Sequence, residues 1–142
     1  MTVSSPQLPR LMIADDDAVI RSVLSMSLSN DFAIVGMAAD ADEAIEVART
    51  SQPDVALVDV EMPNGGGLHA VGGMLAVAPS VAIVVLSIDE SDGLVRELIQ
   101  AGAIAYCRKG IAPETLAESL VDAIAVRRRE LERSQASAPA VV

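Results

Sequence analysis

Short apolar runs alternate along this chain with longer amphipathic stretches. "RLMIA" (10–14), "FAIVGMA" (32–38), "VALVD" (55–59), "VAIVVLS" (81–87) and "IAYCR" (104–108) read as strands. Several are apolar on both faces, as strands are when helices cover both sides of their sheet. The stretches between them carry helical spacing. Val19, Ile20, Val23 and Leu24 follow Asp17, a candidate N-cap, and Asp40 and Asp42 precede Ala44, Ile45 and Ala48. Leu68, Val71, Leu75 and Ala78 make a third stripe, weakened by Gly72 and Gly73 at about 1 kcal/mol each. Leu94, Val95, Leu98 and Ile99 make a fourth. Pro113 stands near the start of a fifth, with Leu116, Leu120 and Ile124.

Five strands alternating with five helices predict an α/β fold, a single doubly wound five-stranded parallel sheet joined by right-handed crossovers. Ligands of such sheets collect outside the carboxyl ends of the strands, near the switch point. Chemically active residues should therefore stand where each apolar run stops.

Composition narrows the class. A chain of 142 residues, 51% of them apolar, suits one domain with a real core, and no run approaches the length of a membrane span. Residues 1–9 read as a flexible N-terminus without the basic start and apolar stretch of a secretory signal, which makes the cytoplasm the simplest location. Cys107 is the only cysteine, so an internal disulfide and a cysteine-based zinc site are excluded. A net charge of −10 argues against direct nucleic-acid binding. Phe32 and Tyr106 are the only aromatics, too few for flavin or base stacking. Arg127, Arg128 and Arg129 read as a solvated face near a helix C-terminus, and "SQASAPAVV" (134–142) as a flexible tail or truncated linker.

The strand ends carry the candidate chemistry. The first run stops at Asp15, Asp16 and Asp17, where mutual repulsion must be offset. One reading is an N-cap with two solvated neighbours; the other is a site for a hard cation such as Mg²⁺, which takes carboxylate oxygens. The third run ends on Asp59, followed by "VEMPNGGGL", a loop able to bring backbone groups near a ligand. The fourth ends on Ser87. The fifth leads to Lys109, the only lysine in a chain that otherwise uses arginine. Lysine offers a compact charge on a flexible stem, suited to a single anionic oxygen. On one sheet edge these groups can hold a divalent cation, offer a carboxylate nucleophile and receive a phosphoryl group.

"IADDDAVIR", "ALVDVEMPNGGGL", "VVLS" and "AGAIAYCRKG" resemble, in order and spacing, the receiver domain of bacterial response regulators in two-component signalling, over about residues 10 to 126. "AGAxxY..K" resembles receivers of the class that carries helix-turn-helix output domains. The resemblance implies a flavodoxin-like (βα)5 domain over residues 10–133 with strand order 2-1-3-4-5. Asp59 is then the phospho-acceptor, taking phosphate from the phosphohistidine of a histidine kinase. Asp15 and Asp16 hold Mg²⁺ together with Asp59, and Glu61 lends its backbone carbonyl. Ser87 bonds a phosphoryl oxygen, Tyr106 changes rotamer with phosphorylation, and Lys109 pairs with the phosphate. The implied outputs are a homodimer through the face of helix 4, strand 5 and helix 5, or an output domain or partner protein not identified by the sequence.

The chain departs from the family pattern at four positions. Gly66 replaces an aspartate, Gly110 the proline after the lysine, Ala105 a glycine, and Ile88 the small residue after Ser87. Ile88 is expected to restrict access to a phosphorylated Asp59. Two other functions compete. An aspartyl-nucleophile phosphatase would share Asp59-Val60-Glu61, but that class wants Thr at plus four, where Pro63 stands. An interaction module independent of phosphorylation would keep the fold, yet such modules typically lose an acid or the lysine, and none is lost here. The expectation is a switch that is not an enzyme beyond its own phosphorylation and dephosphorylation. His69 reads as a solvated histidine without a partner, and Cys107 as a buried strand cysteine.

Overall fold

The computed structural model describes residues 7–88 and 92–136, Asp92 by its backbone alone. Of the expected flexible termini, 1–9 and 134–142, residues 1–6 and 137–142 lie outside the described residues. The order is β1 (Arg10–Ala14), α1 (Ala18–Leu28), β2 (Ala33–Ala38), α2 (Ala41–Ser51), β3 (Val55–Asp59), α3 (Gly66–Val77), β4 (Ala82–Ser87), α4 (Asp92–Ala101), β5 (Ala105–Arg108) and α5 (Pro113–Ala136). The strands form one parallel sheet in the order β2-β1-β3-β4-β5. This is the predicted flavodoxin-like topology.

Strand alternation sorts the core into two layers. Met12, Ala14, Ala56, Val58, Ile83 and Val85 face Ala44, Ala48, Val71, Met74 and Leu98 of α2, α3 and α4. Leu11, Ile13, Val55, Leu57 and Val84 face Leu28 of α1 and Leu116, Leu120 and Ile124 of α5. β3 and β4 are buried at every residue because helices cover both of their faces. Caps set two helix starts. Asp17 accepts from the N–H groups of Val19 and Ile20, and Asp40 from that of Glu43, whose own carboxylate accepts from Ala39 N–H.

Phe32, Val81 and Ile104 each precede the strand that their apolar character assigns them to. Phe32 N–H and Val81 N–H instead close turns on Leu28 and Ala78. Val19 and Val23 are exposed, leaving Leu28 as the fully buried anchor of α1. The expected boundary at residue 133 gives way to a helix that runs on through Ala136. Arg127 is half-buried rather than solvated: its guanidinium donates to Pro79 O at 2.6 Å and pairs with Glu130 at 3.2 Å, tying α5 to the base of β4. Pro9, within the expected flexible start, accepts from Ala33 N–H at 2.9 Å. No helix among the described residues is long and apolar enough to cross a membrane.

The α5 stripe yields a direct test by urea unfolding. Leu120→Ala, which empties a fully buried position, should cost about 2–5 kcal/mol, whereas Val121→Ala at its exposed neighbour should stay within about 0.5 kcal/mol.

Candidate functional site

The parallel sheet brings the ends of β1, β3, β4 and β5 to one edge. Asp15 follows β1, Asp59 closes β3, Ser87 closes β4, and Lys109 follows β5. Asp15, Asp59 and Ser87 are the buried polar side chains among the described residues, Asp15 and Asp59 at 1% exposure each. The two carboxylates are held by one device repeated. Oδ1 of Asp15 accepts from Asp17 N–H at 2.9 Å, and Oδ1 of Asp59 from Glu61 N–H at 3.1 Å. Both Oδ2 atoms are buried and accept no aligned hydrogen bond. Lys109 reaches both by charge, with Nζ 2.9 Å from Asp59 Oδ2 and 3.8 Å from Asp15 Oδ2.

Burial is the main cause that raises the Asp15 carboxyl above its ordinary pKa, reinforced by the charges of Asp59 and Asp16 and opposed by Asp17 N–H and Lys109. For Lys109, burial alone pulls the pKa down. Its contact with Asp59 and the charges of Asp59, Asp15 and Glu61 outweigh that, and the net shift is upward. A buried pair of acids sharing one ammonium is thus short of positive charge. Asp16, exposed, brings a third carboxylate oxygen within 4.8 Å of the other two. Buried carboxylate oxygens that share a single ammonium, with a third carboxylate beside them, fit a hard divalent cation of the Mg²⁺ type.

The remaining site residues frame this cluster. The Ser87 carbonyl accepts from Lys109 N–H at 3.1 Å, locking the end of β5 to that of β4. Ile88 beside it is exposed, and so is the side chain of Glu61. Tyr106 packs against the core layer of α2, α3 and α4, with its hydroxyl buried and unpartnered. Gly110 has φ 92°, which proline cannot adopt. The departure at that position therefore comes with a different backbone course after Lys109. Ala105 opens β5 opposite Val84.

Residues that sequence reasoning passed over brace the site from outside. Arg21 donates to the Asp15 carbonyl at 2.7 Å; its place four residues after the Asp17 cap was the available signal. The loop after β3 is tied to the start of α2. Asn64 donates to Asp40 at 3.0 Å, Ala41 N–H to Pro63 O at 3.1 Å, and His69 pairs with Asp42 at 2.9 Å. His69 therefore has the partner that its sequence context did not suggest. Cys107 is buried on β5 as expected.

Residues 11–121 match the family model described as the response regulator receiver domain. Over 121 residues the chain is 31% identical to the response regulator GacA of Pseudomonas aeruginosa, covering 84% of this chain and 56% of that one. It is 36% identical over 125 residues to the transcriptional regulatory protein PdtaR of Mycobacterium tuberculosis, covering 86% and 59%. The chain thus spans little more than half the length of these relatives. In fold it resembles a CheY-like receiver domain protein from Methanospirillum hungatei, with a TM-score of 0.80 at 24% identity over 87% of this chain and 99% of that one.

The pKa directions set two pH windows for the metal-free protein. A carboxyl with a raised folded pKa destabilises its ionised form, so the Asp15 contribution falls as pH rises from about 4 through the raised value. The Lys109 contribution is present below about pH 10.4 and lost as pH rises through its folded value. Asp15→Asn keeps the acceptor for Asp17 N–H and removes the charge. Measured in EDTA at pH 7, it should unfold at higher urea than wild type. Added Mg²⁺ should stabilise wild type by about 2.7 kcal/mol at a hundredfold excess over Kd, and that gain should vanish in Asp15→Asn. A variant less stable than wild type in EDTA would contradict this account of Asp15.

Proposed function

We propose, on the premise that this chain belongs to the response regulator receiver domain family, that it is a phosphorylation-dependent switch with Asp59 as phospho-acceptor. Receiver domains of this family serve phosphorylation-dependent signalling and interact with histidine kinases. The observation that carries the residue assignment is the Lys109 ammonium 2.9 Å from a buried Asp59 oxygen that accepts no aligned hydrogen bond. That arrangement sets a cation beside the buried oxygen that a phosphoryl group would join.

In the proposed reaction an Asp59 carboxylate oxygen attacks the phosphorus of a kinase phosphohistidine. The P–N bond breaks, its electron pair leaves with the imidazole nitrogen, which takes up a proton, and an acyl phosphate forms on Asp59. Asp15, Asp16, Asp59 and the Glu61 carbonyl would hold Mg²⁺, which when bound supplies charge neutralisation for the transferring group. Lys109 exchanges its carboxylate partner for a phosphoryl oxygen, and the Ser87 hydroxyl donates to another. The unpartnered Tyr106 hydroxyl makes that ring the natural element to report the change along β5 and α4. Leu94 and Ile99 of α4 are partly exposed apolar residues on the face proposed for dimerisation.

The kinase is assigned to the α1 side. Val19, Val23 and Met26 are exposed there, beside an apolar cleft of about 280 Å³ lined by Ile20, Leu24, Ile111, Leu116 and Lys109. A helix carrying the phosphohistidine could bury that surface while its imidazole faces Asp59. This reading makes the protein cytoplasmic and not an enzyme beyond its own phosphorylation and dephosphorylation. Relatives named as transcriptional regulators support an output that ends in transcriptional control.

Intact mass after incubation with acetyl phosphate and Mg²⁺ tests the assignment. One added phosphate is expected in wild type and none in Asp59→Asn or without metal. Phosphorylation that persists in Asp59→Asn would sink it, and a wild type refractory even to kinase would favour a docking module. The exposed Ile88 beside Ser87 supports restricted access to the phosphoryl group. Ile88→Ala should therefore shorten the acyl phosphate lifetime several-fold; equal lifetimes would remove Ile88 from the mechanism.

A further inference from the structure

Helix α3 is built unlike the two helices whose starts carry side-chain caps. Its N-cap is Gly65, with no side-chain hydrogen bond, no acid in the first turn and no base in the last. By contrast, α1 and α2 begin on Asp17 and Asp40, and α2 adds Asp42 and Glu43 in its first turn and Arg49 in its last. Four of the twelve α3 residues are glycine: Gly66, Gly67, Gly72 and Gly73. Each interior glycine weakens a helix by about 1 kcal/mol relative to alanine. The buried side chains of α3 are Ala70, Val71 and Met74, and those of α2 are Ala41, Ala44 and Ala48. Small side chains permit close approach but bury little apolar area.

The glycines divide by cause. A Cβ on Gly73 would lie 2.2 Å from Ile45 Cδ1 and 2.6 Å from its Cγ1, so an alanine there would force the Ile45 side chain to shift. A Cβ on Gly67 would lie 3.0 Å from the Val60 carbonyl oxygen, and Gly67 N–H donates to that same oxygen at 3.0 Å. The first turn of α3 is thereby clamped on the residue next to Asp59. Gly72 has neither reason. Its Cβ would meet nothing within 4 Å, its φ is not positive, and the residue is exposed. It lowers helix stability with no geometric return.

The flanks are held much better. The loop before α3 is tied to α2 through Asn64–Asp40 and Pro63–Ala41. At the other end, the Gln52 side chain donates to the carbonyl of Val77, the last residue of α3, at 2.9 Å. We propose that α3 is a local opening unit, residues 66–77, which unfolds between these anchors while the rest of the sheet stays intact, and that filling the Asp59 site closes it through the Val60–Gly67 clamp. The second half rests on the phosphoryl-site reading. Opening uncovers Val71 and Met74, so site occupancy would control an apolar surface between α2 and α4.

Amide hydrogen exchange on the full chain tests both halves. In EDTA, α3 amides should exchange on the order of tenfold faster than those of α2. Gly72→Ala should slow α3 exchange about fivefold, while Gly73→Ala should give no slowing because Ile45 must be displaced. Mg²⁺ with beryllium fluoride, a phosphoryl mimic, should protect residues 59–61 and α3 together in wild type. Exchange in α3 as slow as in α2, or equal slowing by both alanines, overturns the opening unit. Protection of residues 59–61 without α3 overturns the coupling. No protection at residues 59–61 counts against the phosphoryl-site reading itself, and the opening unit then stands on the contrast between the two glycines.

Discussion

Two aspartates buried to 1% exposure around one lysine ammonium set the terms for everything else in this molecule. Removing carboxylates from water is expensive, and repulsion between Asp15 and Asp59 adds to the cost. One cation at 2.9 and 3.8 Å offsets part of it. What remains is a site short of positive charge, a setting that a divalent ion fits. Uneven sharing is part of the design: Lys109 leans toward Asp59, and burial lifts the pKa of Asp15.

Such a cluster can exist only where backbone supplies rigid support. Parallel pairing delivers it, because strands that all run one way end at one edge. The registers Asp59 with Leu86 and Ser87 with Arg108 bring neighbouring strand ends level. The repeated turn, in which an aspartate Oδ1 accepts the N–H two residues on, then orients each carboxylate with one oxygen fixed and the other turned inward. Arg21 steadies the Asp15 carbonyl without entering the site.

Side-chain size is distributed unevenly around this edge. On the α1 and α5 side, long aliphatic side chains such as Leu28, Leu116 and Leu120 fill the layer, and Arg127 pins the helix end to Pro79. On the α2 and α3 side, alanines and Gly73 let the two helices pack closely. The loop that follows Asp59 leads straight into that side.

Much of this was legible in the residue order. Alternating apolar runs and helical stripes determined the fold class, and strand ends picked out Asp15, Asp59, Ser87 and Lys109, since the end of a buried strand is where polar chemistry can begin. The lone lysine among arginines was informative for the same reason. Periodicity could not decide which of several adjacent apolar residues faces the core, so the outward turn of Val19 and Val23 emerged only from packing. Pairings across elements, such as His69 with Asp42, Arg127 with Pro79 and Lys109 with Asp59 rather than equally with both acids, depend on distances between segments far apart in the chain. Local sequence carries propensity and alternation, but those distances are set by how helices of particular side-chain volume seat on a twisted sheet.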